Sequence, residues 1–204
     1  APVGPASVGP GAAGRPYGGV PLVRRRTAPV AALAVGGLFL VVTTMHPQAL
    51  PAVRDTGQTT AGMAAVGAWL DKALGDGTVI STHETPALAY HTGPTVVVLD
   101  VFGRTDEHIA RDATDRGFVD GRFVARDYDY VVNVRRPMVA VDEDAYTDEQ
   151  QCGIHPAYAG VYEVASFRHA PADHWVTLYL RRAMASELVG RLAEHPDFEY
   201  VSCL

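Results

Sequence analysis

Between Ala28 and Met45 the chain runs for 18 residues without a charge, APVAALAVGGLFLVVTTM. As a helix, 18 residues span ~27 Å, close to the ~30 Å hydrocarbon thickness of a bilayer. In a soluble fold a helix with no polar face needs protein on every side. Pro29 falls in the first turn, where its missing N–H is harmless, and Gly36 and Gly37 are tolerated in membrane helices. Arg24, Arg25 and Arg26 stand on one side and His46-Pro47 on the other. Positive-inside logic keeps residues 1–27 cytoplasmic and sends everything from residue 46 outside. A cleaved signal peptide and a fully enclosed soluble helix are the other two readings. The expectation is a single plasma-membrane span over 28–45, with the lipid bilayer as first partner and an extracytoplasmic domain over 46–204.

Residues 1–27 contain four arginines and no acid, yet the whole chain of 204 residues carries a net charge of −6. The body is therefore strongly acidic, which excludes the clustered basic surface that nucleic acid requires. The head is mostly Gly, Pro, Ala and Val and has little with which to build a core. With 48% hydrophobic and 20% charged residues overall, the remainder suffices for one packed domain. The first residue is Ala rather than Met, so a processed chain or a fragment is expected. Two cysteines, Cys152 and Cys203, suit one disulfide pinning the tail to the body outside the cell. Closing a loop of ~50 residues would contribute about 4 kcal/mol in the chain-entropy model. Two unrelated buried thiols are the plainer alternative.

Apolar spacing over Thr59–Leu74 places Met63, Val66, Trp69, Leu70 and Leu74 on one helical face, with Gly75 and Gly77 beyond it. TVIST (78–82), TVVVL (95–99) and MVAV (138–141) read as short buried strands, separated by a turn or helix near 86–90 and a helix over 106–115. A polar loop over 146–159 carries Cys152. Residues 161–167 and 175–180 form a hairpin, and 184–193 a closing amphipathic helix. Apolar strands alternating with helices predict parallel pairing, hence an α/β domain with a mixed sheet.

The eight histidines show no HxH or HExxH spacing, and no serine sits in a nucleophile elbow, so the pattern yields no metal site, no cofactor and no catalytic residue. The cluster that invites a function begins where the 95–99 strand ends: Asp100, Gly103, Arg104, Asp106 and Arg111. An acid at the carboxyl end of an apolar strand is a favoured place for a site in an α/β sheet. Asp100 suits sugar hydroxyls or a cation, and Arg104 and Arg111 suit a phosphate. In the purely structural alternative, Asp100 pairs with Arg111 and Asp106 only caps a helix. A hydrolase built on Asp100 and a distant histidine is a further possibility.

The succession GMAAVGAWL, TVIST, ALAYHTG, VVVLDVFGRTDEHIAR and YDYVVNVRRPMVAV, following an apolar span, resembles a known family over residues 30–145. It is similar to the C-terminal extracytoplasmic portion of actinobacterial multi-pass C-type glycosyltransferases that use polyprenyl-phosphate sugars, the arabinofuranosyl- and mannosyltransferase group. Asp100, Gly103, Asp106, Ile109 and Ala110 match that family's iDxxGLxDxxIA stretch. Residues 136–139 approximate its PDyvv strand. Arg104 replaces the usual Leu, Met138 an Asp, and Gly121-Arg122 a Gly-His pair. The resemblance implies a terminal piece of a longer enzyme of envelope-polysaccharide synthesis. The family's catalytic acid lies far upstream, so no residue here inherits that role. Asp100, Arg104, Asp106 and Arg111 would then engage an acceptor glycan or a polyprenyl-phosphate sugar, or simply hold their loop. A single-pass anchored binding protein of the envelope is the alternative.

Overall fold

The computed structural model describes residues 49–83, 86–119 and 122–203. The chain divides into two compact units, Ala1–Leu50 and Pro51–Leu204, and the second carries nearly all that follows. The basic head and the apolar run over 28–45 lie outside the described residues. Among the described residues no helix is long and apolar enough to cross a membrane.

The unit is a mixed α/β fold on one six-stranded sheet. Helix α1 (Ala49–Ala73) leads into β1 (Val79–Thr82), α2 (Pro86–His91), β2 (Val97–Asp100) and α3 (Glu107–Asp112). A separate antiparallel hairpin, β3 (Asp115–Val119) and β4 (Arg122–Arg126), follows. A π-helical segment (Tyr130–Arg135) then precedes β5 (Val139–Thr147), and β6 (Tyr162–His169) pairs with β7 (His174–Arg181). Helix α4 (Ala185–Leu192) and β8 (Phe198–Val201) close the unit. Strand order is β2-β1-β5-β7-β6-β8. β1 pairs in parallel with β2 and β5, and the other pairings are antiparallel.

Each face of the sheet is covered by its own core. On one face α1 presents Met63, Val66, Trp69 and Leu70 at helical spacing, packed with Leu88 of α2 and Leu188 and Leu192 of α4. Trp69 is its centre: the ring stacks on Phe198 at 4.0 Å, meets Phe167 edge-on at 4.9 Å, and donates its N–H to the Leu192 carbonyl. On the other face Ile109, Val131 and Val132 pack with Leu99, Tyr158, Tyr162 and Tyr179.

The expected helix over 106–115 stops at Asp112 because β3 begins three residues later. Just before β5, Tyr130–Arg135 winds as the π-segment. Arg136 then adopts a left-handed conformation (φ 52°) just before Pro137 ends the turn. The strand expected over 138–141 continues to Thr147, and Cys152 is bonded to Cys203 with Cα atoms 5.5 Å apart.

Candidate functional site

The connection from β1 to β2 passes over the first face with α2, and that from β2 to β5 over the second with α3 and the π-segment. The two crossovers diverge between β1 and β5, and at such a switch point a crevice opens beyond the carboxyl ends of the strands. Here that crevice holds a cavity of about 250 Å³ lined by His83, Phe102, Arg126, Tyr128, Asp142 and His155, with Asp115 and Glu143 beside them.

His83 follows β1 directly. Its backbone N–H bonds the Val141 carbonyl, and its side chain is 2% exposed. In β5 the ladder with β7 is irregular between Val141 and Tyr146, and a bulge re-aims the side chains it frees from pairing. Asp142, the first of them, places Oδ1 3.1 Å from His83 Nδ1, while its Oδ2 accepts the Tyr179 hydroxyl at 3.1 Å. Tyr179 in turn accepts the His155 backbone N–H. On the far side of the imidazole, Nε2 lies 2.9 Å from the Tyr128 hydroxyl.

The hydrogens in this array follow from chemistry. A carboxylate only accepts, so His83 carries its proton on Nδ1, and the neutral ring must accept from Tyr128 at Nε2. Burial lowers the His83 pKa below its ordinary value, against the pull of Asp142, so the ring is uncharged at neutral pH. Burial also pushes the Tyr128 and Tyr179 phenols up to about 12. With its hydrogen committed to His83, Tyr128 can only accept from a ligand. Arg126 supplies donors from its place 4.9 Å over the Phe102 ring.

Of the residues singled out in the sequence, those of the loop after β2 lie next to this cavity. Asp100 ends β2 and is consumed by its own loop: Oδ1 accepts the Phe102 N–H, and Oδ2 those of Arg104 and Thr105. Arg104 folds its guanidinium back on that carboxylate and donates to the His83 carbonyl. Gly103 turns the loop at φ 70°, where a Cβ would press on Ile109. Asp106 caps α3 through the Ile109 N–H and pairs with Arg135 at 2.9 Å. Arg111 pairs with Glu107 on the exposed side of α3. Asp100, Arg104 and Asp106 thus hold the loop that presents Phe102, and Arg104 ties it to the His83 carbonyl, while Arg111 stands apart from the cavity. Sequence reasoning passed over His83, Tyr128, Asp142 and His155. The rule that pointed to Asp100, a polar residue closing an apolar strand, applies equally to His83 after β1 and Asp142 after MVAV.

Among the described residues no group of three or more His, Cys, Asp or Glu side chains is placed to hold a metal ion. A family model described as Domain of unknown function (DUF8728) matches residues 51–179, most of the folded unit and every residue of the cavity. No curated protein and no solved structure matches the chain.

Proposed function

The chain belongs to the family described as Domain of unknown function (DUF8728), and we propose that its folded unit binds an uncharged glycan at the β1–β5 crevice. In this reading the unit is the non-catalytic extracytoplasmic end of a membrane glycosyltransferase of envelope-polysaccharide synthesis, anchored by the apolar run over 28–45. The observation that carries the glycan is the chemistry of the lining. The Tyr128 oxygen and the carboxylates of Asp142 and Glu143 accept hydroxyl hydrogens, Arg126 donates, and the rings of Phe102, Tyr128 and His155 supply apolar surface. Alternating acceptors and rings suit a polyol with hydroxyls at its rim and C–H groups on its faces.

The charge balance separates the two candidate ligands. Asp115, Asp142 and Glu143 outnumber Arg126, and Asp115 lies against that one cation. Such a lining repels phosphate, which favours an acceptor glycan over a polyprenyl-phosphate sugar. The transferase context draws on the motif resemblance over 30–145. A stand-alone anchored binding protein would use the same crevice.

The test is calorimetric titration of full-length protein, solubilised from the membrane fraction, with arabino- and manno-oligosaccharides. The expected result is saturable binding that Asp142→Asn weakens at least tenfold. No binding of either series would overturn the glycan reading, and a full-length product found only in the soluble fraction would remove the anchor. The carboxylate–imidazole–hydroxyl connectivity of Asp142, His83 and Tyr128 also favours a second reading, hydrolysis with Tyr128 as nucleophile. Mass spectrometry of the recovered sugar separates the two, an intact oligosaccharide being expected for a binding module.

A further inference from the structure

The cavity around His83 has a neighbour. A second cavity, of about 290 Å³, lies on the other side of Asp142 and His155, and these two residues line both. Small-molecule sites usually occupy ~300–1,000 Å³. Neither cavity reaches that range alone, and together they do.

Resting on the glycan reading above, we propose that the two cavities are successive sugar positions of one site, and that the Cys152–Cys203 disulfide keeps the second of them formed. The second cavity is bounded by Asp144, Gln151, Gly153, Thr177 and Tyr179. Gln151 and Gly153 flank Cys152, so the disulfide sits within the wall itself. Residues 148–155 form neither helix nor strand, and therefore lack a ladder to hold their course. Several ties to the rest of the unit replace it, the His155 N–H to Tyr179 bond and the His174–Asp148 pair among them. Cys152 is bonded to Cys203 just past β8, the Gln150 amide donates to the Val201 carbonyl, and the Thr177 hydroxyl donates to the Gln151 carbonyl. The disulfide and the Gln150 bond fasten the segment to β8 and the residues just past it.

The first cavity touches this segment only through His155, whose backbone N–H is held separately by the Tyr179 hydroxyl. His83, Phe102, Arg126 and Tyr128 are fixed by the parallel strands, the Asp100 loop and the hairpin. Asp142 is held from both cavities at once, through His83 on one side and Tyr179 on the other. A sugar in the first position would therefore survive loosening of the wall, whereas one in the second would not.

The experiment compares the affinity of full-length protein for neutral saccharides of one, two and three residues, in the wild type and in a Cys152→Ser/Cys203→Ser variant. The wild type should gain at least tenfold on going from one residue to two. The double variant should keep monosaccharide affinity within twofold and lose the gain. Thr177→Val and Asp144→Ala, each with the disulfide intact, should cut the gain threefold or more. They decide the matter if the serine variant does not fold. A gain unchanged in the serine variant overturns the role of the disulfide, and one unchanged in Thr177→Val and Asp144→Ala overturns the second position. Monosaccharide binding with no gain in the wild type overturns the proposal while leaving the glycan reading intact, whereas no saccharide binding at all removes both.

Discussion

Asp100 and Asp142 stand at or just past the ends of apolar parallel stretches, and their surroundings give them opposite tasks. Both Asp100 oxygens are taken by the backbone N–H groups of Phe102, Arg104 and Thr105 and by the Arg104 guanidinium. Asp142 accepts one backbone N–H, from Glu143, but turns its oxygens mainly to an imidazole and a phenol and lines a cavity. Hydrogen bonds to charged groups each contribute about 1.5–3 kcal/mol, and leaving a buried donor unpaired costs about 1–3 kcal/mol. Asp100→Asn should therefore lower the urea midpoint of unfolding while leaving saccharide affinity within twofold. A variant of normal stability that no longer binds sugar would instead make Asp100 a ligand contact.

Among the elements, those with a strong period or an unbroken apolar run were readable from sequence. The buried face of α1 is the expected set from Met63 to Leu70, with Leu74 just past its end in the same core, and the β6–β7 hairpin lies where alternation placed it. The β3–β4 hairpin and β8 were not. DRGFV opens on two charges and RFVAR carries one at each end, and FEYV is four residues long and held by β6 and the disulfide beyond it. The site was hidden for a related reason. His83, Tyr128, Asp142 and His155 are dispersed over 73 positions, and only the two crossovers and the β5 irregularity bring them together. One element contact is sharp enough to test. A Cβ on Gly62 of α1 would overlap the ring of Tyr146, whose hydroxyl is hydrogen-bonded to His169 at 2.8 Å. Overpacking of this kind costs about 1–3 kcal/mol, so Gly62→Ala should lower the denaturation midpoint measurably. An unchanged midpoint would mean that α1 and β5 do not meet there.

For the folded unit as a whole, two buried histidines set the response to acid. His83 and His169 lie on different parts of the sheet, and desolvation lowers the pKa of each. The unfolded chain takes up protons at the ordinary value of ~6.5, before the native state does. Their contribution to stability is thus present above that pH and is lost as the pH falls towards the depressed native values. The urea midpoint should be lower near pH 5 than near pH 7.5, and His169→Phe should reduce the difference. A midpoint that rises on acidification would contradict the burial of these rings. The staple at Cys203 adds a constraint in time. A ribosome delivers β8 and its cysteine after the other described strands of the sheet, so the wall it secures is finished after the rest of that sheet. A nascent unit awaiting oxidant would have its inner crevice assembled while its outer rim still hung open, a brief immature form set by the order of manufacture.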